Sequence, residues 1–310
     1  MTVLSQSPSS TARPARGSAA GGTRTPTLLT VSQVNIIDLA RVVSGDAAET
    51  AKLTRAMATD GYVFLDFRSA PATADIAQQV TAVYAASDDY FAQSRDAKTR
   101  DTRAGQPAWS DRGYKFCASD ESFEMSSDEL RDGRLELPTP LEKQAGALGE
   151  FQTTCHEATL AVLSRLADGL KLPELHERHE AARASESGLK LIAEPSIARA
   201  SDVLENKHRD SGTLTLLFYE AWGIQVCVEG ADEEAEESWV FVPPPPAGCA
   251  LLHGAQSLAR LSGGRLRSPL HRVAQPADGA AKRYFLSYFL RPERGLQGAW
   301  EALDAGVAAA

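Results

Sequence analysis

The chain has 310 residues, 43% of them hydrophobic, and a formal net charge of -9. That length allows one large core or two modest ones, and the acidic balance argues against a phosphate-backbone binder, whose affinity comes from a basic footprint. No secretory apolar region or long apolar span is present, and the four cysteines, Cys117, Cys155, Cys227 and Cys249, form no Cys-x-x-Cys pair; the expectation is a cytoplasmic, globular protein with reduced thiols and with neither nucleic acid nor membrane as partner.

Residues 1–30 read as a disordered tail, because Met1 to about Thr27 is rich in Ser, Thr, Ala, Gly, Pro and Arg and has neither acid nor apolar period. An acid-free start with Arg also suits a transit peptide, though large apolar residues for an amphipathic helix are few. Val34–Leu39 then reads as a strand, Thr50–Thr59 as a helix ending at Asp60-Gly61, and Tyr62–Phe67 as a second strand. Pro71 to about Ala97 reads as helix, with Pro71 in its first turn and Ile76, Val80, Val83, Tyr84 and Phe91 at helical spacing. Residues 31–140 are thus an N-terminal α/β module closed by a loop-rich stretch, Asp101–Pro140, whose Trp109, Tyr114, Phe116 and Phe123 are core plugs or a lid over a pocket.

Residues 141–186 read as supporting helices. Cys155, Thr159, Val162, Leu163, Leu166 and Leu170 mark one face of a helix from about Leu148 to Leu170, stopped at Gly169-Leu170-Lys171-Leu172-Pro173. A more polar helix follows over Glu174–Ala184, where His176 and His179 share a solvated face or an adventitious zinc site, while His156 reads as structural.

After Gly188 the text breaks into seven short apolar runs: Leu189–Ile192, Leu214–Tyr219, Ile224–Val228, Trp239–Val242, Ala250–His253, His271–Ala274 and Arg283–Leu290. Such runs, split by Gly and Pro, predict a double-sheet jelly roll over 187–295, followed by a tail at 296–310. The fold class is therefore α+β with a mainly β core flanked by helices. Glu229, Asp232, Glu233, Glu234, Glu236 and Glu237 crowd one stretch that reads as a solvated hairpin loop, and the lack of any coiled-coil repeat favours a monomer.

His208-Arg209-Asp210 lies in a β-type run, where alternate side chains share a face and reach one ion together. With His271 downstream, two imidazoles and one carboxylate can occupy one face of an octahedral metal and leave the other open, as non-heme Fe(II) oxygenases need. Alone the tripeptide is weak, since a surface His near an Asp has many causes. His253 is a packed polar residue or a fourth ligand.

The context is more specific. Leu214-Thr215-Leu216-Leu217, Gly223-Ile224-Gln225-Val226, Trp239-Val240-Phe241-Val242-Pro243, Ser268-x-x-His271-Arg272-Val273 and Arg283-Tyr284 follow in order. This series resembles the isopenicillin N synthase-like branch of the 2-oxoglutarate/Fe(II)-dependent oxygenases, strongly over Leu189–Pro292 and more weakly over Val34–Phe67. The resemblance implies a jelly-roll core, Fe(II) held by His208, Asp210 and His271, Arg283 on the far carboxylate of 2-oxoglutarate, ascorbate as a further cofactor, and dioxygen and a small-molecule substrate as partners. It implies hydroxylation, desaturation or other oxidation of that substrate, in secondary metabolism, with Asp101–Pro140 and Tyr288–Trp300 as pocket walls.

The chain departs from the family pattern at several places. Position 285 is Phe where a Ser is usual, Leu191-Ile192-Ala193-Glu194-Pro195 lacks the usual Tyr, His253-Gly254-Ala255-Gln256 replaces Asn-x-Gly-Asp, and Arg209 fills a Thr slot. Ser287 lies on the same strand face as 285 but a full repeat away. Two alternatives stay open from the sequence: an Fe(II) oxidase that does not use 2-oxoglutarate, and a non-catalytic metabolite-binding relative.

Overall fold

A computed structural model describes residues 31–106, 110–117, 120–180, 183–194, 206–274 and 283–304, without the side chains of Glu194 and Arg283. The expected tail at 1–30 and Trp109 lie outside the described residues, as does the end of the expected C-terminal tail.

The lead-in is an α/β unit. Strand β1 (Ile36–Asp38) runs straight into helix α1 (Leu39–Val43), so the expected strand stops at Asp38, whose carboxylate caps the helix by accepting from the Arg41 amide. Helix α2 (Ala47–Thr59) starts at the Asp46 cap, and β2 (Tyr62–Asp66) pairs in parallel with β1. The single helix expected from Pro71 divides into a short 3₁₀ turn at Pro71–Thr73, α3 (Ile76–Phe91) and α4 (Arg95–Thr99), because Ser94 starts a new cap. The stretch expected to be loop-rich is more ordered: β3 (Gly113–Phe116), β4 (Glu121–Ser126), α5 (Ser127–Arg131) and α6 (Thr139–Glu142) lie within it. Tyr114 and Phe123 are core plugs there, and Phe116 is 47% exposed.

Helix α7 (Ala145–Leu170) buries Leu148, Phe151, Cys155, Val162, Leu163 and Leu166 on one stripe. It ends where Lys171 takes a left-handed φ of 56° and the Leu172 amide donates to the Ala167 carbonyl at 2.9 Å. Gly169 serves packing rather than the turn, since a Cβ there would stand 2.8 Å from Thr54 Oγ1 on α2. The expected second helix is shorter, α8 (Glu174–Glu177).

The jelly-roll strands follow: β5 (Gly188–Glu194), β6 (Leu214–Phe218), β7 (Ile224–Cys227), β8 (Trp239–Phe241), β9 (Cys249–Gly254), then helix α9 (Gln256–Leu261), β10 (His271–Val273), β11 (Arg283–Leu290) and helix α10 (Arg294–Asp304). One sheet has the order β1-β2-β9-β6-β11-β5-β4-β3 and the other β10-β7-β8, extended by a bridge from His208 to His271. The lead-in thus adds two strands beyond β9, and the 101–140 stretch adds two beyond β5.

The large sheet is buried on both faces, which is why its strands read as unbroken apolar runs. One face, with Leu189, Leu191, Leu216, Leu252 and Leu286, packs into the helix-side core with Phe151 and Val162. The other, with Phe64, Leu217, Leu251 and Phe285, meets Ile224, Val226 and Val242 between the sheets. Each such leucine contributes roughly 1.5–3 kcal/mol by leaving water. Among the described residues no helix is long and apolar enough to cross a membrane.

Candidate metal centre and pocket

The centre sits at one mouth of the gap between the sheets. His208 and Asp210 are not on a regular strand, as the alternation suggested: only His208 pairs, exchanging backbone hydrogen bonds with His271 at 2.9 and 3.0 Å. The segment then turns, and the Asp210 carbonyl accepts from the Gln256 amide at the start of α9. The side chains converge all the same. His208 Nε2 lies 3.5 Å and His271 Nε2 3.6 Å from the same Asp210 Oδ1, and one donor atom from each of the three residues lies within 4.8 Å of the others.

The donor set fits a metal. His208 Nδ1 donates to the Asn206 carbonyl at 2.8 Å and His271 Nδ1 to the Pro269 carbonyl at 3.2 Å. Since a carbonyl only accepts, both protons are on Nδ1, and both Nε2 lone pairs face the shared carboxylate. Burial, followed by the neighbouring His208, drives the His271 pKa down to about 3, which keeps its imidazole neutral. Burial opposes the anion at Asp210, but the adjoining His208, His271 and His253 side chains outweigh it, His208 most, and hold its pKa well below the usual carboxylate range. His208, whose side chain is 52% exposed, faces the opening.

Two further side chains orient Asp210. Thr215, on β6, donates its hydroxyl proton to Oδ2. His253, its partner on β9, is buried with Nε2 3.5 Å from the same oxygen and its ring 4.9 Å from that of His271. His253 thus packs against Asp210 and lies outside the group of three whose donor atoms are within 4.8 Å of one another. Gly254 beside it is required by close approach, because a Cβ there would stand 2.2 Å from the Arg267 carbonyl oxygen.

Behind His271, Arg272 is 1% exposed; it donates from Nε to Gln225 Oε1 at 2.8 Å and pairs with Glu236 at 2.6 Å while covering the Trp239 ring at 4.2 Å. The acidic stretch is thus pinned, not merely solvated: Lys207 pairs with Glu233 and Glu234, and Arg267 with Glu229. His179 also departs from the solvated-helix expectation. It is buried, with Nδ1 donating to the Leu175 carbonyl and Nε2 accepting from Thr213. His156 reads as structural and bonds the Tyr288 hydroxyl at 2.6 Å.

The three residues open into a cavity of about 370 Å³ that Thr215, Leu217, Ile224, Val273, Phe285 and Phe289 help line. Lys190, Asp111 and Ser287 line it too, and sequence reasoning missed the first two; only Lys190 left a signal, as a charge inside an apolar strand run. Arg283 opens β11 opposite Glu194, with its side chain outside the described residues. A separate cavity of about 260 Å³ lies by α5 and α7 and holds none of the three.

The 2OG-Fe(II) oxygenase superfamily model matches residues 194–292, the span that carries all three residues. The 2-oxoglutarate-dependent dioxygenase frbH of Dothideomycetidae sp. (strain 11243) is 33% identical over 271 residues, 83% of this chain and 81% of that protein. The 2-oxoglutarate-dependent dioxygenase gloE of Glarea lozoyensis is 30% identical over 276 residues, 84% and 80% of the two chains. Among solved structures, the dioxygenase for auxin oxidation 1 from Arabidopsis thaliana, in its binary complex with 2-oxoglutarate, superposes with a TM-score of 0.67 at 17% identity, covering 85% of this chain and 94% of that one. The chain belongs to the 2-oxoglutarate/Fe(II)-dependent oxygenases, and its jelly roll is that family's fold. It is a dioxygenase whose family membership implies Fe(II), 2-oxoglutarate, dioxygen and a small-molecule substrate.

Proposed function

We propose that His208, Asp210 and His271 hold the Fe(II) and that Arg283 binds the distal carboxylate of 2-oxoglutarate. The observation that carries this reading is the approach of two imidazole Nε2 atoms to one carboxylate oxygen, at 3.5 and 3.6 Å, with both Nδ1 atoms tied to backbone carbonyls. Bound there, Fe(II) supplies the redox chemistry that couples decarboxylation of 2-oxoglutarate to oxidation of the substrate.

The protein's own part is placement. Thr215 and His253 fix the Asp210 carboxylate, Arg272 anchors the strand that presents His271, and the apolar wall of Leu217, Ile224, Val273 and Phe285 keeps water from the reacting carbon. Arg283 supplies a guanidinium, which suits a carboxylate better than a neutral hydroxyl, so Phe285 in place of Ser is compatible with co-substrate binding.

The substrate is a small organic molecule of secondary metabolism, oxidised by hydroxylation or desaturation, with ascorbate as accessory cofactor and a monomer in the cytoplasm as the working form. Fungal relatives named 2-oxoglutarate-dependent dioxygenases support the oxidation of a small molecule. Purified protein given Fe(II), ascorbate and 2-oxoglutarate should form succinate, and Arg283→Ala should raise the KM for 2-oxoglutarate at least about tenfold. Oxygen uptake that persists undiminished without the keto acid contradicts the co-substrate assignment.

A further inference from the structure

The cavity beside the three metal-binding candidates carries charges that the iron and co-substrate assignments leave unused. Lys190, on β5, has Ser287 as its partner on β11 and Glu124 as its partner on β4. Its side chain is 16% exposed, and its Nζ lies 2.7 Å from Asp111 Oδ2. The other oxygen of that carboxylate holds Lys115 Nζ at 2.6 Å, nearer the surface. Burial works against the Lys190 charge, but Asp111, Glu124 and Asp120 outweigh it and raise its pKa, so it is an ammonium at neutral pH.

The register places this lysine one same-face row from the residues that flank Asp210. One step along the sheet is the row of Phe289, Thr215 and His253, two of which touch Asp210; one step the other way is the row of Ile192 and Phe285. An ion pair taken out of water at such a place seldom improves stability over apolar side chains of similar volume. Ile192, Leu217 and Phe289 line the same cavity, and so do Asp120 and Arg291, the second of which is already held by Glu124.

We propose that Lys190 binds a carboxylate on the substrate, with Ser287 beside it as hydroxyl donor, and that the substrates are therefore small carboxylic acids, amino acids included. This rests on the oxygenase reading above. The doubly held Asp111 makes the exchange possible: Lys190 turns from Asp111 to the incoming carboxylate while Lys115 keeps Asp111 neutralised, so no buried charge loses its partner. The cavity, about 370 Å³, is at the small end for ligand pockets and must also admit the co-substrate, which limits the acid to a few carbons or one ring.

The test is anaerobic calorimetry on protein loaded with Fe(II) and 2-oxoglutarate. The probes are the twenty common L-amino acids and simple aliphatic and aromatic monocarboxylic acids, each beside its primary amide. At least one acid should bind ten or more times tighter than its amide. Lys190→Met should remove that difference, Lys190→Arg should restore part of it, and 2-oxoglutarate affinity should change less than twofold in both. Asp111→Asn, which removes the competing carboxylate, should tighten acid binding, an effect that misfolding does not mimic. Acids and amides binding alike, no acid binding at all, or a Lys190→Met protein whose main loss is 2-oxoglutarate affinity would overturn the assignment. Binding of Fe(II) and 2-oxoglutarate to wild type is read separately: failure of both to bind sinks the site reading above, whereas their binding beside a failed acid–amide comparison sinks the Lys190 assignment alone.

Discussion

His208 and His271 are joined twice through the main chain, with amide-to-carbonyl distances of 2.9 and 3.0 Å in the two directions, and their rings lie 4.3 Å apart. The two imidazoles are therefore positioned by backbone pairing rather than by side-chain contacts alone. Such pre-organisation lowers the entropy lost when a metal is bound.

Thr215 tests how far the carboxylate depends on its own support. Thr215→Val keeps the shape of a buried side chain but removes the donor to Asp210 Oδ2. Loss of such an outer partner weakens metal affinity about 10–100-fold. Fe(II) affinity should fall by that order while the melting temperature moves by a few degrees at most.

Arg272 is the complementary case, a residue of stability that stands next to His271. Arg272→Met leaves Gln225 Oε1 without its donor and releases Glu236 from a pair that is largely exposed on the acid's side. The unpaired buried acceptor costs about 1–3 kcal/mol, and the exposed half of the ion pair adds little. Urea unfolding should show a lower midpoint with an unchanged slope.

His179 gives the fold a pH dependence of known sign. Burial lowers its pKa from 6.5 to about 4, so between those values the unfolded chain binds a proton that the folded one does not. Its contribution is complete above pH 6.5 and is lost as pH falls toward 4, at up to about 1.4 kcal/mol per pH unit. His179→Gln should flatten the pH dependence of the unfolding free energy in that window, at the cost of lower stability at neutral pH.

The sequence disclosed the jelly-roll strands because both faces of the large sheet are buried, leaving apolar runs such as Leu214–Phe218 that no surface strand would show. Motif order pointed to His208, Asp210 and His271, which the structure brings together even though the local structure is not a strand. Strand β4 was hidden by its composition: Phe123 and Met125 face the helical core, while Ser122, Glu124 and Ser126 are buried polar residues on the other face, and such a strand reads as loop. Lys190–Asp111, Arg272–Glu236 and His179–Thr213 join positions 34 to 79 residues apart, and no local pattern announces a pairing at that range.

The most direct test is anaerobic Fe(II) titration of the wild type beside Asp210→Ala and His271→Ala. One Fe(II) per chain should bind to the wild type, and each variant should lose at least about 100-fold in affinity, a loss of roughly 2.7 kcal/mol or more. Equal binding by wild type and Asp210→Ala would contradict the assignment of His208, Asp210 and His271 as the iron site.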